Sequence, residues 1–285
     1  MTARYATAAV VQALEARLSE RDNAVLRSVS DLRFVSGAQL ARMHFAGGDD
    51  SALSARNARR ALLRLVRLDV LARLPRAVGG VRSGSAGFVY HLGLAGQRLA
   101  AERGWQTKHR GRRPHVPGRL FLAHSLQVAE LHTLLIEADR SGRLELLELA
   151  AEPACWRSCG GAGGQQRILK PDSYVRLGAG EYEDSWFIEV DMGSEGSQAL
   201  ERKLGDYLAY EASGTEQAER GVFPKALWLA PDAERAAVIG ECIERLPRSA
   251  GRLFAVAPFA DLLGVVTDTP ILTNTQSMDV TVGVK

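Results

Sequence analysis

The charge of this 285-residue chain changes sign part-way along its length. Residues 1–120 contain 21 basic and 8 acidic side chains, whereas residues 121–285 contain 15 basic and 25 acidic ones. The overall formal charge of +3 hides this contrast. Such an asymmetry indicates two units with different partners. Because a basic unit binds phosphate backbones by releasing their condensed counterions, the sequence predicts a first half that binds nucleic acid.

Composition sets the broad class of protein. Hydrophobic residues make up 46% of the chain, enough for buried cores, and 285 residues suggest two domains. No apolar run reaches the ~18 residues of a membrane span, and the N-terminal segment lacks the apolar core of a secretory signal. The three cysteines are too few for a disulfide framework, and no second ligand pair supports a zinc site. We expect a cytoplasmic protein with no membrane contact and no small-molecule cofactor.

Residues 1–107 follow the element order of a winged helix-turn-helix domain. The predicted segments are helices at 9–20, 24–29 (capped by Asp22 or Asn23), 38–43 (capped by Ser36) and 54–68, strands at 70–76 and 88–92, and a closing helix from Leu94. A Gly/Ser-rich loop carrying Arg82 separates the two strands, as the wing does in such domains. The fold predicted for this half is therefore a winged helix.

The helix at 54–68 is the candidate recognition helix. Ala58, Leu62, Leu65 and Val66 form an apolar stripe along it, and arginines occupy much of the remaining circumference. One face would then pack on the domain while the other offers guanidinium groups to a DNA groove. The residues predicted to bind double-stranded DNA are Arg56, Arg59, Arg60, Arg64, Arg67 and Arg82. A basic, solvated domain that docks on another protein is the alternative.

A basic stretch rich in glycine and proline, residues 108–119, separates the two halves. Its composition indicates a linker. Its basic side chains could be solvated, or they could equally lie along DNA phosphates. Residues 120–260 would form the second domain and 261–285 a C-terminal tail. Because winged helices commonly pair on DNA, a homodimer is among the expected states.

The second half mixes helices and strands. The predicted elements are a helix at 120–139, a strand at 144–149, a glycine-rich excursion at 155–166, strands at 168–175 and 185–191, a helix at 196–210, a strand at 225–229, a helix at 233–246 and a strand at 253–257. The glycines at 160–164 lack the Lys-Ser/Thr of a phosphate-binding P-loop, and no Gly-x-Ser-x-Gly elbow supports a serine hydrolase. The order predicts an α/β fold, α+β overall.

Three acidic residues stand out on neighbouring strands. Asp172 begins one strand, and Glu189 and Asp191 are two apart on the next, so both should point to one face. Carboxylates so placed can share a divalent cation, and oxygen ligands suit Mg²⁺. Such an ion polarises a phosphate and acidifies a bound water, which phosphodiester hydrolysis requires. Asp172, Glu189 and Asp191 are therefore the candidate metal ligands and catalytic residues.

The predicted order in this half is helix, three strands, helix, strand, and it contains the short motifs Pro171-Asp172 and Glu189-Val190-Asp191. Together they resemble the PD-(D/E)XK nuclease-like fold, αβββαβ. With Lys203, Tyr207, an upstream His124 and an N-terminal winged helix, the chain resembles the replication-relaxation family of actinobacterial plasmids and other mobile elements. The resemblance runs from about Val25 to Ala257. It implies a role in the replication, relaxation or maintenance of plasmid DNA.

The nuclease pattern has one departure, because Asp191 stands where the motif has lysine. Lys203 on the next helix could supply that ammonium group, and Glu130 on the first helix could add a carboxylate. Three functions stay open: a DNA-binding replication factor with a degenerate nuclease-like domain, an active Mg²⁺-dependent DNA endonuclease or nickase, and a winged-helix transcriptional regulator. In a degenerate domain the acidic cluster would pair with Lys203 and Arg202, and the missing lysine favours this reading.

Overall fold

The computed structural model describes residues 8–47, 51–74, 87–105, 117–160, 166–179 and 182–268. It is a mixed α/β structure in which a three-stranded, a five-stranded and a two-stranded sheet pack with helices. Arg82, most of the basic stretch 108–119 and the segment from 269 onward lie outside the described residues. Within the described ranges, none of the helices combines the length and the apolarity that a membrane crossing needs.

The described part of the basic half contains five helices and three short strands. In chain order they are α1 (Ala8–Glu15), α2 (Glu20–Leu32), β1 (Val35–Ser36), α3 (Gly37–His44), α4 (Ser51–Arg67), β2 (Leu71–Arg73), β3 (Val89–Leu92) and α5 (Leu94–Glu102). β3 lies in the middle of the sheet and pairs antiparallel with both β1 and β2. The predicted helices near 38–43 and 54–68 and the strand near 88–92 are confirmed.

The start of the second helix was predicted wrongly. α2 begins at Glu20, and its N-cap is Ser19, not Asp22 or Asn23. The Ser19 hydroxyl accepts from the Asp22 backbone amide, and the Asp22 carboxylate accepts from the Ser19 amide, so the two residues close a capping box. The Ser36 cap on α3 has the same form, with Gln39 as its partner.

The acidic half contains six helices and seven strands within its described part. They are α6 (Arg119–Arg140), β4 (Glu145–Ala151), β5 (Arg157–Gly160), β6 (Gln166–Leu169), β7 (Ser173–Ala179), β8 (Tyr182–Val190), α7 (Ser197–Ala212), α8 (Thr215–Arg220), β9 (Lys225–Ala230), α9 (Ala233–Glu244), α10 (Arg248–Gly251), β10 (Phe254–Pro258) and α11 (Leu262–Asp268). The large sheet has the order β10-β9-β8-β7-β4. β4, β7 and β8 are antiparallel neighbours, and β8, β9 and β10 run parallel.

Three predictions for this half need correction. The strand expected at 168–175 is two strands, β6 and β7, which belong to different sheets. The excursion predicted at 155–166 contains strand β5, which pairs antiparallel with β6, and both Cys155 and Cys159 are buried. The start of the predicted tail is helical, because Leu262 and Val266 of α11 are buried in the core.

Alternation along β8 divides the core into two layers. Trp186, Ile188 and Val190 face a cluster that includes α6, whereas Phe187 faces a second cluster beneath α7 and α9. The first cluster also contains side chains of α2, α4 and α5, so apolar packing runs continuously between the basic and the acidic half. The boundaries at 107, 119 and 260 stay predictions.

Polar contacts join the two halves beside this packing. Arg42 of α3 donates to Glu137 of α6 through both Nε and Nη2, and Arg140 donates back to the carbonyls of Arg42 and Met43. Glu130 also points to α3, where it accepts hydrogen bonds from Arg42 and Gln39. The interpretation of Glu130 as an additional site carboxylate was therefore wrong, because that side chain is used to dock the halves together.

Candidate functional sites

The arginines of α4 are exposed, as predicted. Ala58, Leu62 and Leu65 are buried along one side of the helix. The five arginines at 56, 59, 60, 64 and 67 are all exposed on the rest of its circumference. The amphipathic pattern therefore placed this helix correctly, with its apolar stripe in the core and its cations in solvent.

These five arginines are not equivalent. Arg64 donates from Nη2 to both carboxylate oxygens of Asp22, which is buried in the first turn of α2. Arg59 donates from Nε to the carbonyl of Ala55 one turn earlier. Arg56, Arg60 and Arg67 form no ion pair with any residue of the described ranges. Three guanidinium groups on α4 are therefore available to an external anion.

A second candidate site lies at the end of β8 in the acidic half. It is a pocket with an apolar wall from the start of α6 and a charged wall from β8 and α7. Its lining residues are Leu120, Phe121, His124, Glu189, Val190, Asp191, Met192, Ser194, Glu195, Lys203 and Trp228. Glu189 and Lys203, both predicted site residues, meet in it, and Asp172 lies beside it through a contact with His124.

Glu189 is the buried carboxylate of this pocket. The alternation of β8 turns it toward α7, where its oxygens accept from the hydroxyl of Tyr207 at 2.8 Å and from Nζ of Lys203 at 3.3 Å. Lys203 and Tyr207 are four residues apart, so they share one face of α7. Burial, and secondly the nearby charge of Asp172, raise the pKa of Glu189 to about 7, although Lys203 and Tyr207 oppose that shift.

Asp172 comes immediately before β7 and is held by two donors. Its Oδ2 accepts from the backbone amide of Val190 at 2.8 Å and lies 3.1 Å from Nε2 of His124. The hydrogen bond to Asp172 raises the pKa of His124, against the effect of burial. His132, about two turns later on α6, has its Nε2 2.9 Å from the hydroxyl of Ser173 and so fixes α6 against the start of β7. The resemblance to a known family pointed to His124, and no sequence signal pointed to His132.

Lys203 sits between carboxylates. Its Nζ lies 3.3 Å from both Glu189 and Glu195. Burial disfavours the charged ammonium, but the charges of Glu189, Glu195 and Asp172 outweigh that effect and raise the pKa of Lys203. The amine is therefore a permanent cation at the carboxylate pair, on a helix rather than at the strand position that the nuclease motif uses.

Asp191 lines the same pocket as Glu189, but the structure pairs its carboxylate with an arginine. β8 ends at Val190, so its alternation stops before Asp191. Both oxygens of Asp191 accept from Arg235 of α9 at 2.8 Å, and Oδ1 also accepts from the amide of Gly193. Arg235 was missed, because it lies 44 residues away in sequence and belongs to a helix with no recognised motif.

The donor set can be compared with what Mg²⁺ requires. No group of three or more His, Cys, Asp or Glu side chains in the described ranges is arranged to hold a metal ion. Asp191 does not fit as a ligand, because its oxygens are taken by Arg235. Asp172 and Glu189 are the remaining candidates, since the charge of Asp172 acts on Glu189 and Mg²⁺ is commonly held by one or two carboxylates plus waters and phosphates.

These features define a mixed α/β protein with an arginine-bearing helix in one half and a carboxylate–lysine pocket in the other. The replication-relaxation family model matches residues 26–226, most of the chain. The chain belongs to the replication-relaxation family, and this membership suggests a role in the replication or relaxation of mobile elements. No curated protein and no solved structure matches the chain.

Proposed function

We propose that the protein binds double-stranded DNA through α4 and acts in the cytoplasm in the replication, relaxation or maintenance of a plasmid or related element. The single observation that carries the proposal is the set of exposed guanidinium groups of Arg56, Arg60 and Arg67 on the outer face of α4, which have no ion-pair partner among the residues that the structure describes. Exposed cations without internal partners are what counterion release from a phosphate backbone requires.

The surroundings of α4 support the same proposal. Helices α1 to α4 precede β2 and β3, and β1 joins their sheet in the order β1-β3-β2. This order supports a winged helix domain. In that class the helix corresponding to α4 enters the major groove. The segment between β2 and β3, which carries Arg82, would be the wing.

Fluorescence anisotropy with a labelled 25-base-pair duplex tests the proposal. The triple variant Arg56→Ala, Arg60→Ala, Arg67→Ala should bind about tenfold or more weakly at 100 mM salt, with a reduced slope of log K against log salt. The matched control replaces Arg143, Arg167 and Arg202, three exposed arginines of the acidic half, and removes the same charge. Equal weakening by both variants would mean that net charge, rather than α4, determines binding.

A metal-dependent nuclease is the second candidate function, favoured by the contact of Lys203 with the Glu189 carboxylate next to Asp172. The antiparallel β4-β7-β8 unit, with β9 parallel to β8 and with α6 and α7 beside it, supports the proposal of a PD-(D/E)XK-like domain. Asp172 and Glu189 would hold Mg²⁺, which would polarise the scissile phosphate and acidify a water. Lys203 would stabilise the negative charge that develops there.

Supercoiled plasmid incubated with Mg²⁺ or Mn²⁺ decides whether this second function exists. Nicking that is lost in both Asp172→Asn and Glu189→Gln, and retained in the exposed control Glu241→Gln, would establish the enzyme. If the wild type nicks no plasmid and both variants bind duplex DNA as tightly as the wild type, the protein binds DNA and its nuclease-like domain is degenerate.

A further inference from the structure

The outer face of α4 carries apolar side chains as well as arginines. Five exposed residues recur every third or fourth position on the side opposite the buried stripe: Leu53, Arg56, Arg60, Leu63 and Arg67. Leu53 is 47% and Leu63 37% exposed. At a rise of about 1.5 Å per residue, the ten steps from Leu53 to Leu63 span about 15 Å, or four to five base-pair steps.

Phosphate contact alone gives no role to these leucines. A leucine beside guanidinium groups does not change their electrostatic contact with phosphates. On a free surface its apolar area is exposed to water, which is unfavourable. Base readout does give it a role, because the C5-methyl group of thymine is the one apolar group that a base pair presents in the major groove. Arginine at the same depth of the groove pairs with guanine.

We propose that α4 reads sequence rather than only backbone, and that Leu63 packs on the C5-methyl group of a thymine in the major groove. Arg60, one turn before Leu63 on the same stripe, is the nearest of the free cations. The inference rests on the proposed function, since it requires that α4 enters a duplex. It goes further by assigning a specificity-determining contact to an uncharged residue.

The experiment compares thymine with uracil, which lacks only that methyl group. The full-length protein first enriches a preferred duplex from a randomised 20-base-pair pool. Each thymine of that duplex is then replaced singly by deoxyuridine, and binding is measured by anisotropy. One replacement should weaken wild-type binding about fourfold, the value for losing one buried methyl group.

The variant Leu63→Ala should bind the thymine and uracil duplexes equally well, because its alanine does not reach the methyl group. The matched control is Leu147→Ala on β4, since Leu147 is also 37% exposed and lies in the other half of the chain. This control should keep the fourfold preference for thymine. Both substitutions are at exposed positions, and circular dichroism verifies that the variants fold.

Several outcomes would overturn the inference. No enrichment from the pool, no position sensitive to uracil, or a preference that Leu63→Ala retains would each mean that Leu63 does not read a thymine. A change of molecular mass on Leu63→Ala in sedimentation would assign the leucine to contact between copies of the chain. If the proposed function itself is wrong, the wild-type protein binds no duplex at all, so this result can be distinguished from failure of the Leu63 proposal alone.

Discussion

Nη2 of Arg64 on α4 donates to both oxygens of Asp22, which is 2% exposed at the start of α2. Asp22 also accepts from the amide and the hydroxyl of Ser19. The carboxylate therefore ties the first turn of α2 to the last turn of α4. Among the arginines predicted to bind DNA, Arg64 has a second task, which is to compensate a buried charge.

Arg64→Ala should accordingly lower the free energy of unfolding by about 1–2 kcal/mol, since it leaves the buried Asp22 carboxylate short of a donor. The half-exposed guanidinium places this value below that of a fully buried pair. Arg60 on the same helix has no ion-pair partner within the described ranges, so Arg60→Ala should change stability by less than ~0.5 kcal/mol. Urea denaturation of the two variants provides the comparison, and equal stabilities would contradict the assignment.

Arg42 links the two halves of the molecule, and its removal should show how much that link contributes. Its guanidinium contacts both Glu130 and Glu137 of α6, and these hydrogen bonds raise its pKa. Arg42→Met keeps the aliphatic stem and should lower the free energy of unfolding by about 1–2 kcal/mol. The effect should shrink at 1 M salt because the pair is half-exposed.

The exposed pair Arg245–Glu201 is the control for that experiment. Arg245→Met should change the free energy of unfolding by less than ~0.5 kcal/mol, as isolated surface pairs do. If both variants changed stability equally, the Arg42 contacts would contribute no more than an ordinary surface pair.

Local pattern was sufficient to predict the position of Glu189 but not that of Asp191. The alternation of β8 is a local pattern and places Glu189. Lys203 and Tyr207 were expected at the site from the family resemblance, and their four-residue spacing puts both on one face of α7. The end of β8 at Val190 and the partner Arg235 depend on how α9 packs, which no local pattern contains. In the basic half, too, the sequence did not predict which charges pair in the folded structure, because Arg64 forms an ion pair with Asp22.

His132 should make the fold sensitive to mild acid. Its ring is fully buried, contacts Ser173, and has a pKa that burial lowers to about 3. In the unfolded chain the group titrates near its ordinary value of 6.5. Between those values the unfolded state binds a proton that the folded state does not, so stability falls as pH decreases below 6.5, by about 1.4 kcal/mol per pH unit.

Urea denaturation between pH 7 and pH 4 measures that slope. His132→Asn should reduce it by about 1.4 kcal/mol per unit, even though the variant is less stable at every pH. His44, whose pKa burial lowers to about 4, should contribute a similar slope, and the double variant should lose both. An unchanged slope in His132→Asn would mean that this histidine is not held neutral in the folded protein.

Glu189 should have the opposite dependence, because its pKa is raised in the folded state to about 7 from 4.5. The folded state then binds the extra proton between those values, so the buried carboxylate destabilises the protein above pH 7 and that penalty disappears as pH falls toward 4.5. Glu189→Gln, which keeps the Tyr207 hydrogen bond, should therefore be about 1–3 kcal/mol more stable than the wild type at pH 8.

Its advantage should vanish near pH 4.5, whereas Glu241→Gln at an exposed position should differ little from the wild type at either pH. A stability difference that does not change with pH would show that burial does not disfavour the ionised form of Glu189. The buried carboxylate would then not destabilise the fold, and its position would need no functional explanation.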